Sequence, residues 1–494
     1  MHEASTLAAV DLGSNSFRLE VARVVDHQIY PLDSLKETVR LAAGLTDDKY
    51  LEADAQERAL ACLRRFGERL RGLPRQAVRV VGTNTLRVAK NAPDFLDRAH
   101  AALGFPIDII AGREEARLIY LGVSHALPPS DEKRLVVDIG GGSTEFIIGS
   151  RYTPLEMESR YMGCVSYSRQ FFPDGKITKA ALEAAELAAR TEIRNITVDM
   201  AHPRWDKAIG SSGTAKALSE VLVANGLADE GITADGLAQL RAILLKAKDA
   251  AKLPLAGLKP DRIPVLPGGF AVMSAVFAEL GVERMSVSDS ALREGLLYDL
   301  LGRIEHHDTR DATVRQFMKR YHVDRKQAMR VEELSAAFLE HLAEGQPMDM
   351  SCAPQLLGWA ARLHEIGLAI AHNGYHKHGA YIISNADMPG FSRMDQARLG
   401  MLVNAQRHSL GKVAPLVADP AEWSMILALR LAILFYRNRV DVQLPRFELR
   451  ISGKGFTLRL DKAWLAQNLL VETMLAAEAK EWKAVGVGFK VEGE

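Results

Sequence analysis

The chain has 494 residues, 48% apolar and 25% charged, which is too long for one ordinary core and fits a folded protein of two to four domains. Lys plus Arg and Asp plus Glu each total 62, so no global charge excess points to nucleic acid or a membrane surface, and any polyanion site must be local. Cys62, Cys164 and Cys352 are too scattered for a disulfide framework or a metal-ligand spacing, and the start MHEASTLAAVDLG has no basic region followed by a long apolar stretch; a cytoplasmic chain with no leader and no integral membrane segment is expected.

In chain order, residues 8–24 read AAVDLGSNSFRLEVARV, and residues 135–149, LVVDIGGGSTEFIIG, follow the same plan. A short buried strand ends in Asp11 or Asp138. Small residues turn the chain (Gly13, Ser14, Asn15, Ser16; Gly140, Gly141, Gly142, Ser143), and a second strand returns, giving two hairpins. Glycines that reach positive φ would let backbone NH groups converge on an anion, and the strand-end aspartates would hold Mg²⁺ against the same phosphates. A plain glycine turn is the competing reading, but recurrence with the same flanking carboxylate favours a pair of phosphate cradles.

Between the copies, a strand at residues 77–81 runs through Gly82-Thr83-Asn84 into a helix whose first turn carries Arg87, and a second strand leads from Ile107 through Gly112 into another helix. On that helix Glu115 shares the apolar face of Leu118, Ile119 and Gly122, whereas Glu114 points toward Arg117. An inward glutamate needs a partner or a task, unless both glutamates only complement the helix dipole. Further on, Gly210, Ser211, Ser212, Gly213 and Thr214 join a strand near residues 207–209 to a helix, where an N-terminus attracts anions, and Pro267-Gly268-Gly269 reads as a fourth strand-to-helix loop. Beyond about Arg303 the sequence is helical and histidine-containing to about Leu444. Residues 425–436, MILALRLAILFY, are too short to span a bilayer, carry Arg430 at their middle and read as a buried helix. Residues 447–494 suggest two alternating strands, a helix and a final strand.

Seven ordered strings, AVDLGSNSFRL, VGTNTLR, GREEARLIYLGV, VVDIGGGSTEF, MGCVSYSRQFF, IGSSGT and SALREGLLYDL, resemble the exopolyphosphatase and guanosine pentaphosphate phosphohydrolase family of the actin-like ATPase superfamily. The resemblance implies an α/β fold of duplicated ribonuclease-H-like lobes (residues 1–124 and 125–305), followed by an all-helical HD-like domain (306–445) and a small α+β domain (446–494). It implies Glu115 as catalytic base, Asp138 and Glu145 as the acidic pair working with Mg²⁺ or Mn²⁺, Asp11 as a further metal ligand, Arg87 as a phosphate clamp, and K⁺ as an activator. Terminal phosphate would leave inorganic polyphosphate, or pppGpp, from a homodimer. ADP as acceptor in place of water would make the same cleft a phosphotransferase, and lobe closure driven by hydrolysis would make it an actin-type nucleotide gate. In ARLHEIGLAIAHNGYHKHGAYII the HD-like metal site meets Glu365 where its pattern has Asp, a longer carboxylate that would misplace a metal. His376, Lys377, His378, Arg407, His408, Lys412, Arg437 and Arg439 would instead form a positive path for a long polyanion, or else be solvated faces of a helical scaffold.

Overall fold

The computed structural model describes residues 6–25, 28–128, 130–304, 307–344, 353–417, 420–453 and 455–493; Cys352 and residues 1–5, on which the no-leader reading partly rests, lie outside them. The chain divides into two compact units, 1–309 and 310–494. The divisions expected at 124/125 and 445/446 fall inside these units.

In the first unit, β1 (Thr6–Leu12), β2 (Phe17–Val25), β3 (Gln28–Glu37), β4 (Val78–Gly82) and β5 (Asp108–Ile109) form a sheet in the order β3-β2-β1-β4-β5. A second sheet uses β6 (Arg134–Ile139), β7 (Thr144–Ser150), β8 (Thr153–Arg160), β9 (Lys207–Ser211), β10 (Ile232–Thr233) and β11 (Arg284–Val287) in the order β10-β11-β9-β6-β7-β8. Each begins with an antiparallel meander of three strands and continues with two parallel strands on the other side of the first, the second sheet closing on the antiparallel edge strand β10. The repeat in the sequence is therefore a repeat of topology, that of the duplicated ribonuclease-H-like lobes of actin-like ATPases.

The lobes exchange helices. The helix Gly112–Ala126, which ends the first lobe, lies against β7 and β8 of the second, while Leu292–Ile304, which ends the second, lies against β1 and β4 of the first. Apolar side chains of both sheets and both helices, among them Val81, Ile119, Ile147 and Leu296, share one core. The two helices cross where neither has a side chain: a Cβ on Gly122 would stand 2.0 Å from the Ala291 carbonyl oxygen, and one on Gly295 would stand 1.8 Å from that of Leu118. Backbone cannot yield as a side chain does, so Gly295→Ala is expected to destabilise the protein by about 3 kcal/mol. An unchanged denaturation midpoint would contradict this crossing.

Pro267-Gly268-Gly269 is not a strand-to-helix loop. It forms the first turn of the helix Leu266–Leu280, with proline at a first-turn position that needs no NH, and the two glycines admit Ser168 and Thr214 at close range. Among the described residues, Ile263–Leu280 is long and apolar enough to cross a membrane; 67% of it is buried, and Phe270, Val272 and Met273 belong to the core of the second lobe.

In the second unit, helices from Thr309–Arg320 to Pro420–Phe435 share a continuous core with β12 (Phe447–Ser452), β13 (Gly455–Leu460), β14 (Gly488–Gly493) and the helix Leu469–Ala484. The apolar run at 425–436 is the centre of that core, and Arg430 within it is neutralised by Glu478.

Candidate active site

The register of the two hairpins is the same. Asp11 faces Arg18 and Leu12 faces Phe17 across the loop 13–16; Asp138 faces Glu145 and Ile139 faces Thr144 across the loop 140–143. In each lobe the loop carbonyls are taken up by NH groups that follow the third strand. Arg40 and Ala42 donate to Asn15 and Ser14 at 2.8 and 2.9 Å, and Cys164 and Val165 donate to Gly140 and Gly141 at 2.9 Å. Turning the carbonyls outward leaves the loop face to NH groups, as an anion cradle requires.

The glycines serve this differently from the sequence reading. None of Gly13, Gly140, Gly141 and Gly142 has a positive φ. Gly141 and Gly142 are bare because the other lobe approaches too closely for side chains: a Cβ on Gly141 would lie 2.9 Å from Ser14 Cβ, and one on Gly142 would lie 2.6 Å from Asn84 Oδ1, whereas one on Gly13 or Gly140 would press on its own loop, 2.9 Å from the Ser16 and 3.1 Å from the Ser143 carbonyl oxygen. The two cradles thus meet at Ser14 and Gly141, and both line one cavity of about 650 Å³.

Asp11, Asp138 and Glu115 line the same cavity, with Glu145 buried beside them. Burial, reinforced by Glu115, raises the Asp11 carboxyl to about 7, against the pull of Arg18 and Arg293. Burial raises Asp138 to about 6, although its Oδ2 accepts 2.7 Å from the Ser211 hydroxyl. Glu145 is held well above the usual range by burial and then by Glu115 and Asp138, while the Ser159 hydroxyl donates to it at 2.9 Å. Glu115 is raised by burial and partly offset by Arg87, whose Nη1 lies 3.2 Å away. Among the described residues the sealed Asp11 Oδ1 has no hydrogen-bond partner, nor do Ser16 Oγ and Asn84 Nδ2. Buried polar atoms left open around one cavity are sites for a ligand to complete. Among the described residues no three His, Cys, Asp or Glu could hold a metal ion on their own. Mg²⁺ asks for less, usually one or two carboxylates with phosphate oxygens and water, so these carboxylates fit it.

Several expected residues have other tasks. Arg87 does not line the cavity; its side chain is only 3% exposed and is spent on Glu115 and, at 2.9 Å, on the Ile110 carbonyl. Of the third loop, Ser212 and Gly213 line the cavity, Ser211 holds Asp138, and Gly210 is bare only to admit Ala215 and Met285. Ser212 adopts φ 88°, a strained value for a residue with a side chain, of the kind that clusters at functional sites. Gly213 makes room for the Arg262 guanidinium. Glu114 pairs with Arg117 through two 2.8 Å bonds, as its position on the helix predicts. His378 and Arg407 belong to the second unit, where Arg407 lies over the Tyr375 ring and His378 is half-buried. Of the expected positive path, His376 is buried and Arg439 is spent on Glu365 and Asp324. At the HD-like position, therefore, an arginine neutralises Glu365, and its neighbour His364 is lowered to about 4 by burial.

Sequence reading missed the cations of the cavity, Arg18, Lys36, Lys216, Lys259, Arg262 and Arg293. Counting back from a four-residue loop would have found Arg18 opposite Asp11; the others come from distant segments. Lys36, Lys259 and Arg293 rest against Asp261, Glu220 and Glu20 at 3.7, 3.0 and 2.7 Å. The Lys36 and Lys259 pairs are partly solvated and contribute little, so an arriving anion recruits these two lysines at small cost, whereas Arg293 is held by the buried Glu20.

The solved structures similar to this chain include an exopolyphosphatase from Cytophaga hutchinsonii (24% identity, TM-score 0.55, covering 60% of this chain and 98% of that one) and a Ppx/GppA family member from Aquifex aeolicus (24% identity, TM-score 0.52, covering 62% and 100%), and at this identity they speak for the fold. The model of Ppx/GppA phosphatase domain III matches residues 309–479. Since the Ppx/GppA phosphatase model also matches residues 20–304, more than half of the chain, from within β2 to the end of the helix Leu292–Ile304 and including the second cradle, this chain belongs to the Ppx/GppA phosphatase family.

Proposed function

We propose that the chain removes the terminal phosphoryl group of linear inorganic polyphosphate by attack of water. The observation that carries this is the contact of two mirrored anion cradles at Ser14 and Gly141 over one cavity, with Glu115 on its wall and six cations around it. No aromatic ring lines that cavity among the described residues, which favours an inorganic chain over a nucleotide such as pppGpp. The name of the Cytophaga hutchinsonii relative, an exopolyphosphatase, points the same way.

Positioning and charge neutralisation dominate such a reaction. The NH groups of Gly141, Gly142 and Ser143, the loop of Ser14, Asn15 and Ser16, and the open amide of Asn84 hold the terminal phosphoryl oxygens. Arg18 and Arg262 take the next phosphates. Glu115 orients a water molecule and accepts its proton as the new P–O bond forms and the bridging P–O bond breaks. Orthophosphate leaves, and the chain is one unit shorter. Arg87 positions Glu115, Ser211 positions Asp138, and Ser159 positions Glu145. Asp11 and Asp138, which line the cavity, would hold Mg²⁺ together with phosphate oxygens, with Glu145 adding negative charge beside Asp138, and the ion would supply charge neutralisation to the phosphates.

Turnover of long polyphosphate, tripolyphosphate and pppGpp, measured side by side with and without ADP, tests this reading. A kcat/KM for long polyphosphate about tenfold or more above that for pppGpp is expected, with little ATP formed. Preference for pppGpp, or ATP formed in step with phosphate loss, would replace it with guanosine pentaphosphate hydrolysis or phosphotransfer.

A further inference from the structure

The second unit holds a cavity of its own, about 540 Å³, enclosed by the ends of the helices Ala353–Leu363, Arg393–Ala405 and Pro420–Phe435 and by one flank of Leu469–Ala484. Its walls differ. One is apolar, built from Leu368, Ile433, Leu434 and Met474. The other is polar, and the charges on it are unevenly committed. Arg430 is spent on Glu478 and on the carbonyls of Ala405 and His408, and Arg439 on Glu365 and Asp324. Arg407 meets the ring and the hydroxyl of Tyr375, and Arg437 the sulfur of Met474 at 3.4 Å; neither has a carboxylate partner among the described residues.

Two acceptors are open as well. Gln327 donates to the Tyr436 carbonyl, and Gln406 donates to those of His364 and Val403, all at 2.8 Å, yet the Oε1 atoms of both are buried without a donor among the described residues. Leaving such an atom unsatisfied is costly, and it marks a place for a ligand N–H. Two lining residues, His408 and Arg439, sit at φ 62° and 58°, a left-handed backbone that side chains disfavour and that clusters at binding sites.

We propose that this cavity is a binding site for a nucleoside phosphate, with the heterocycle against the apolar wall, its N–H groups on Gln327 and Gln406, and its phosphate on Arg407 and Arg437. The volume is that of a small-ligand site. Inorganic polyphosphate fits it poorly: it has no use for an apolar wall and brings no N–H donors. The site is separate from the hydrolytic cavity and does not depend on which phosphate chain that cavity cleaves.

Calorimetric titration of the full chain with GMP, AMP and tripolyphosphate tests the assignment. One nucleotide at least binds with 1:1 stoichiometry, and tripolyphosphate filling the hydrolytic cavity does not displace it. Arg437→Ala weakens that binding about tenfold or more. Ala477→Trp, at an exposed position on the cavity rim, blocks it while the fold is kept. Both variants retain wild-type phosphate release in the absence of nucleotide. Nucleotide binding that neither variant alters, no nucleotide binding, or a site that takes tripolyphosphate as well as it takes the nucleotides would each overturn the proposal.

Discussion

Glu115→Gln is expected to lower phosphate release from polyphosphate by about 10³, the range of a lost general base, while polyphosphate binding stays within about threefold of wild type. The amide keeps the shape of the carboxylate but cannot accept the proton of the attacking water. Binding rests on the cradles and the cations, which the substitution leaves alone. Arg87 keeps its bond to the Ile110 carbonyl, so the helix Gly112–Ala126 should hold its place. A companion variant separates catalysis from structure. Arg87 pulls the Glu115 carboxyl down against the rise caused by burial. Arg87→Gln should therefore raise that carboxyl further and move the acid limb of the kcat/KM profile to higher pH. Turnover by Glu115→Gln at the wild-type rate would end the assignment of Glu115 as base, and an unmoved acid limb in Arg87→Gln would remove Arg87 as its positioning partner.

The duplication was legible because a strand, an aspartate, a small-residue turn and a second strand are local features, and each copy carries all of them in order. Glu115 was legible for a similar reason, since helical spacing alone turns it inward and sends Glu114 to Arg117. The glycines were identified but misread: freedom of φ and absence of a Cβ are both properties of glycine, and only the packing of Ser14 on Gly141 shows which one is used. Arg87 was read as a clamp because a motif carries no direction for its side chain. The cavity cations come from residues 18, 36, 216, 259, 262 and 293, and nothing short of the tertiary fold gathers them. The division expected at 445/446 follows a change from helix to strand, but the apolar faces of β12–β14 close on the same core as the helices, so a change of secondary structure is not a change of unit.

The mirrored hairpins differ in what faces the strand-end aspartate, and that difference carries the second large effect. Opposite Asp138 stands Glu145, a carboxylate facing a carboxylate; opposite Asp11 stands Arg18, a cation that still leaves Asp11 Oδ1 sealed and without a hydrogen bond. The Asp11 carboxyl rises from an ordinary value of 3.8 to about 7 in the folded protein. Below pH 4 it is protonated in both folded and unfolded chains and costs nothing. As pH climbs from about 4 to about 7 the unfolded chain ionises freely while the folded one resists, so stability is lost across that window and stays lost above it. At about 1.4 kcal/mol per pKa unit, the penalty at pH 8 comes to a few kcal/mol. Asp11→Asn removes the charge without changing the shape. The metal-free variant should therefore be more stable than the wild type at pH 8, with the gain vanishing near pH 4, and it should lose most phosphate release. Mg²⁺ offsets the buried charge only where the carboxylate is present, so it should raise the melting temperature of the wild type more than that of the variant. Denaturant titrations at pH 4 and pH 8, with and without Mg²⁺, give the answer: a metal-free Asp11→Asn protein less stable than wild type at pH 8 would mean that Asp11 is a structural partner of Arg18 rather than a carboxylate held open for a cation.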